Sequence, residues 1–73
     1  MVDKYLIHDV YFVVSNLAMI SERVELKEII RYTAEAGRKE EREYEAEDIM
    51  ETIRYLIVNN RLRENDGNYE VII

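Results

Sequence analysis

The chain has 73 residues and a mass of 8.8 kDa, which makes it one domain near the lower size limit for a self-supporting core. Its 48% hydrophobic content supplies that core and its 36% charged content a solvated surface, a combination that excludes disorder. A net charge of −6 disfavours a polyanion such as DNA as partner of the whole surface, and the absence of cysteine excludes disulfides and thiolate metal sites.

Glutamine, proline and tryptophan are absent as well, and arginine outnumbers lysine seven to three. Few thermolabile residues among dense opposite charges are the pattern of a thermophile's protein. Met1 to Lys4 lacks a basic leader, and His8, Asp9, Ser15 and Asn16 interrupt the apolar run behind it. Neither a signal peptide nor a membrane span is expected, and the expected location is cytoplasmic.

From Lys4 to Ile20 apolar residues recur at helical spacing with no Gly or Pro, predicting a first helix. Leu6, Ile7, Val10, Tyr11, Val13, Val14, Leu17, Ala18 and Ile20 form its core half. Tyr5, Phe12 and Met19 lie on the other half at heptad spacing, a second apolar stripe. Such a stripe is either ordinary partial exposure in a small domain or a homodimer seam along the helix.

Ser21-Glu22-Arg23 breaks the pattern, Val24 is a candidate for a short strand, and a second helix is expected from about Glu25 to Ala36. Its core face would be Leu26, Ile29, Ile30 and Thr33, with Gly37 as the C-terminal stop. Arg38 to Glu45 interleaves charges of both signs and fits either a solvated loop or an extension of the next helix. A loop or frayed turn reaching Tyr44 is favoured.

The third helix should begin near Ala46, with Ala46, Ile49, Met50, Ile53, Leu56 and Ile57 facing the core. Its opposite side presents Glu47, Asp48, Glu51, Arg54, Tyr55 and Val58. Asp66-Gly67 between alternating segments predicts a two-residue hairpin loop of type I′. That register sets Leu62 opposite Val71, Arg63 opposite Glu70 and Glu64 opposite Tyr69, with Leu62, Tyr69, Val71 and Ile73 pointing inward.

This order, α-β-α-α-β-β with the short strand at Val24, resembles the winged-helix superfamily of helix-turn-helix proteins, here as a small acidic member of archaeal or thermophilic type. The resemblance spans the whole chain, 1-73, as a single α+β, mainly α domain: three helices and a C-terminal β-hairpin wing. It rests on Val24-Glu25-Leu26-Lys27-Glu28-Ile29, on the apolar spacing of Ile49, Ile53, Leu56, Ile57 and Leu62, and on Tyr69-Glu70-Val71 after the turn.

Many members of that family read DNA with the third helix and touch phosphates with the wing. Carried over, that mode would use Glu45, Glu47, Asp48, Glu51, Thr52 and Tyr55 on the helix, and Arg61, Arg63 and Asn65 to Asn68 on the wing. Four of these are carboxylates, which phosphate repels. The expected function is therefore a non-enzymatic protein–protein interaction or assembly factor. The alternative is a DNA-binding transcriptional regulator using Arg38, Lys39, Arg42, Arg61 and Arg63.

Enzyme chemistry is not expected. The single histidine, His8, has Asp9 beside it and Phe12 four residues on, so neither a zinc spacing nor a nucleophile triad is available. Asp66-Gly67 is too short a loop for calcium, and two glycines make no phosphate loop. No cofactor, metal or small-molecule substrate is expected; a protein partner, or a second copy through the first helix, is.

Overall fold

The computed structural model describes residues 2–72. Three helices, α1 (Lys4–Ile20), α2 (Leu26–Lys39) and α3 (Ala46–Val58), precede an antiparallel hairpin of β1 (Leu62–Asn65) and β2 (Asn68–Val71). The architecture is α+β and mainly helical, as expected from the sequence. Among the described residues no helix is long and apolar enough to cross a membrane.

α1 begins where the Asp3 carboxylate accepts the Leu6 N–H at 2.8 Å, removing one orphan donor of the first turn. It buries Leu6, Val10, Val13, Val14 and Leu17, and it packs against α2, α3 and β2. Ala18 and Ile20, expected in the core, are exposed instead. Both sit at the edges of the apolar arc and in the last turn, and Ile20 borders an open groove between α1 and α2.

α2 starts one residue later than expected because Glu25 is extended and caps it, with Glu28 reaching back to the Glu25 N–H at 3.4 Å. The helix also runs through Gly37 to Lys39. Its stop is Glu41, at φ 58. The Arg42 N–H bonds Gly37 O at 2.8 Å and the Glu41 N–H bonds Arg38 O at 3.0 Å, the paired bonds of a Schellman ending. Gly37 serves another purpose: it is buried under Tyr44.

Arg38 and Lys39 thus close α2, Arg42 to Glu45 run as irregular chain, and α3 begins at Ala46 as predicted. α3 ends in a second Schellman pair, with Asn60 at φ 58 and the Arg61 N–H on Leu56 O at 2.8 Å. Its buried stripe is Ile49, Thr52, Ile53 and Leu56. Ala46, expected there, is an exposed first-turn residue; Thr52, expected on the outer face, is fully buried and donates to Asp48 O at 2.8 Å.

The hairpin has the predicted register, Leu62 to Val71, Arg63 to Glu70 and Glu64 to Tyr69. Asp66 (φ 54) and Gly67 (φ 79) both take the positive φ that a type I′ loop requires. Leu62 is buried, Tyr69 and Val71 are half-buried, and Ile73 lies outside the described residues. Arg63 Nε meets Glu70 Oε1 at 3.2 Å on the outer side.

The sheet has two strands; the third expected near Val24 does not form. Val24 O accepts the Tyr69 N–H at 3.0 Å, but the Val24 N–H goes to Asn68 Oδ1 at 2.7 Å. One side-chain bond replaces the second backbone bond, so the ladder stops after a single rung. Buried Val24 and the Arg23 bond to Asp66 O at 2.7 Å still tie the hairpin to the segment before α2.

Candidate interaction surfaces

Two exposed faces stand out against the buried core. The first is the outer side of α3, where helical spacing gathers Glu47, Asp48, Glu51, Arg54, Tyr55 and Val58. All are exposed except half-buried Asp48, and Val58 is 78% exposed at the end of the helix. The structure therefore brings the six predicted residues onto one face. Carboxylates occupy its N-terminal half and the apolar Tyr55 and Val58 its C-terminal half.

Glu47 and Asp48 in the first turn also offset the positive end of the helix dipole, which accounts for part of the acidity structurally. Glu51 lies beyond that turn and Tyr55 beyond it again. The dipole does not account for them.

The second face is the outer side of α1. Tyr5, Phe12 and Met19 are 48%, 57% and 81% exposed, and Ile20 joins them at 80%. A groove of about 800 Å³ runs between this ridge and α2, lined by Tyr5, Phe12, Ile20, Tyr32, Lys39 and Arg42 among others. A smaller one of about 500 Å³ lies on the other side, between Lys4, Tyr11, Phe12, Ser15, Leu56 and Arg61. Phe12 belongs to both. Sequence periodicity found the stripe but not Tyr32, whose half-exposed ring becomes significant only once α2 is set beside α1.

Cations attend the aromatic rings on this side. Arg42 stacks over Tyr5 at 3.9 Å, Lys4 lies 5.4 Å from the same ring, and Arg31 covers Tyr32 at 5.3 Å. His8 lies nearly parallel to Phe12, with centroids 6.2 Å apart. Among the described residues no three His, Asp or Glu side chains converge as metal ligands do.

The five basic residues considered for nucleic acid are not drawn into one strip. Arg38 and Lys39 close α2, where they complement its dipole, and Lys39 faces the larger groove. Arg42 is on Tyr5, Arg61 lines the smaller groove, and Arg63 is paired with Glu70. Thr52 is withdrawn from the outer face altogether, being buried.

Tyr44, two residues before α3, adds a polar tie to α1 beside the core packing of the two helices. Its hydroxyl donates to Asp9 Oδ2 at 2.7 Å, and burial, then this bond and the Asp9 charge, push the hydroxyl up to about 12. Burial and the charge of Glu64 raise Tyr69 in the same direction. Comparison with protein-family models, curated proteins and solved structures gives no match.

Proposed function

We propose that the chain is a winged-helix module that works without catalysis, by contacting another protein through the outer face of α3. The fold assignment is supported by the helix order, the type I′ hairpin and the docking of Val24 on the hairpin edge. The observation that carries the function is the composition of that face. Glu47, Asp48 and Glu51 stand where a nucleic-acid reader needs cations, and exposed Tyr55 and Val58 follow them.

Such a face fits a protein surface with cations opposite the carboxylates and an apolar pocket for Tyr55 and Val58. Arg54 is its single positive residue. The dispersal of Arg42, Arg61 and Arg63 over three other contacts counts against the DNA-binding alternative.

The test pairs two assays on the folded protein. Duplex DNA of mixed sequence should show no submicromolar binding at moderate salt. Affinity capture should retain a protein that is lost with Tyr55→Ala or with Glu47→Lys/Glu51→Lys. Tight DNA binding that falls steeply with salt would reverse the proposal.

A further inference from the structure

The outer face of α1 has a symmetry that a single chain does not use. α1 spans Lys4–Ile20, and Phe12 is its middle residue. Tyr5 lies seven residues before Phe12 and Met19 seven after, so the three side chains fall within about 20° of one line along the helix. All three are exposed, and grooves flank the ridge on both sides.

We infer that α1 pairs with α1 of a second copy of this chain, antiparallel, about a two-fold axis that passes beside Phe12. In that arrangement Phe12 meets Phe12 of the second copy, and Tyr5 meets Met19 at both ends. Each residue of the stripe then meets another residue of the stripe, the self-complementarity of an isologous interface.

The polar residues beside the stripe match under the same operation. At about 100° per residue, Asp9 and Asn16 lie on one edge of the ridge and His8 and Ser15 on the other. The two-fold sets Asn16 against Asp9 of the second copy, and His8 against Ser15. Each is a donor facing an acceptor. Asp9 accepts from Tyr44 at Oδ2 and Asn16 Nδ2 gives one hydrogen to Phe12 O at 2.8 Å, so the contact uses the second amide hydrogen and the other carboxylate oxygen.

Charge and dipole select the antiparallel direction. α1 carries no acidic residue in its first turn and no basic residue in its last. Its N-terminal end gathers Lys4 and Arg42 around Tyr5 against the single capping carboxylate of Asp3. Its C-terminal end is followed by Glu22 and by Arg23, whose guanidinium is turned to Asp66 O and Glu25. An antiparallel pair sets each cationic end against the other copy's carboxylate and opposes the dipoles; a parallel pair would align like with like.

The size is adequate. A stable dimer buries about 800 Å² per partner, close to 15% of the domain's 5249 Å². The 17-residue ridge is about 25 Å long, and with both flanking grooves it presents a face of that order. Aromatic and thioether side chains are the groups that such interface centres favour. Glu47, Asp48, Glu51, Arg54, Tyr55 and Val58 line neither groove, so the pairing stands apart from the function proposed for α3.

Because the chain has no cysteine, single cysteines report the geometry directly. Sedimentation equilibrium of the intact protein should give twice 8.8 kDa at high micromolar concentration. Phe12→Glu, at an exposed position, should stay folded and weaken association at least about a hundredfold. Under mild oxidation Phe12→Cys should cross-link to itself, and a mixture of Tyr5→Cys with Met19→Cys should cross-link to each other more than to themselves. A monomer throughout, a dimer indifferent to Phe12→Glu, or preferential Tyr5→Cys self-linking would each overturn the inference.

Discussion

Tyr44 lies over Gly37 so closely that a Cβ on Gly37 would sit 2.6 Å from Tyr44 Cδ2. Arg42 O, at 3.0 Å from the same point, closes the other side. Glycine is therefore required in the interior of α2, and through Tyr44 and Asp9 the segment before α3 is fastened to α1.

Gly37→Ala should destabilise the domain by about 2 kcal/mol, although alanine would favour an unencumbered helix by about 1 kcal/mol. Chemical denaturation measures this, and the penalty should shrink when Tyr44→Ala is added. A stabilised Gly37→Ala variant would show that the ring yields easily.

Tyr44→Phe should cost about 1 kcal/mol at neutral pH through the lost bond to Asp9. It should also flatten the alkaline limb of stability. The folded Tyr44 value, about 12, exceeds the unfolded value of 10.0, so its contribution is complete below that lower value. It is lost as pH climbs from there towards the upper one, because the unfolded chain releases the proton first. With solvent screening the loss is roughly 1 to 2 kcal/mol. Denaturation midpoints measured on both proteins across that range should converge.

Glu41→Gly should stabilise by roughly 0.5 to 1 kcal/mol, since Glu41 holds φ 58, a conformation glycine adopts without strain. For a domain this small that is a rise in Tm of about 2 to 8 °C. An unchanged or lowered Tm would mean that the Glu41 side chain makes a compensating contact.

Thr33 and Thr52 are both fully buried, but only Thr52 has a partner for its hydroxyl; Thr33 Oγ1 has none among the described residues. Valine at each site keeps the shape and removes the hydroxyl. Thr33→Val should gain about 1 kcal/mol, while Thr52→Val should be neutral or lose up to about 1 kcal/mol. Equal effects at the two sites would contradict the difference in bonding.

The elements were legible where periodicity or turn chemistry is local. α1 has its predicted bounds, and Asp66-Gly67 fixed the hairpin register down to the Arg63 and Glu70 pair. Gly37 misled because a glycine near a helix end has two explanations, and the one that applies depends on Tyr44 seven residues away. Val24 misled because the side chain of Asn68 took the bond that a third strand needed. The outer faces of α1 and α3 could be read from helical spacing. Tyr32 and the scattering of the basic residues could not, since both follow from how helices are set side by side.

The most direct test of the function proposed for α3 is site-specific photo-cross-linking from position 55 in the cells that make the protein. The prediction is a discrete protein adduct that disappears when Glu47→Lys/Glu51→Lys is introduced, with the purified variant still folded. Adducts to DNA from that position, or a protein adduct unchanged by the charge reversal, would contradict it.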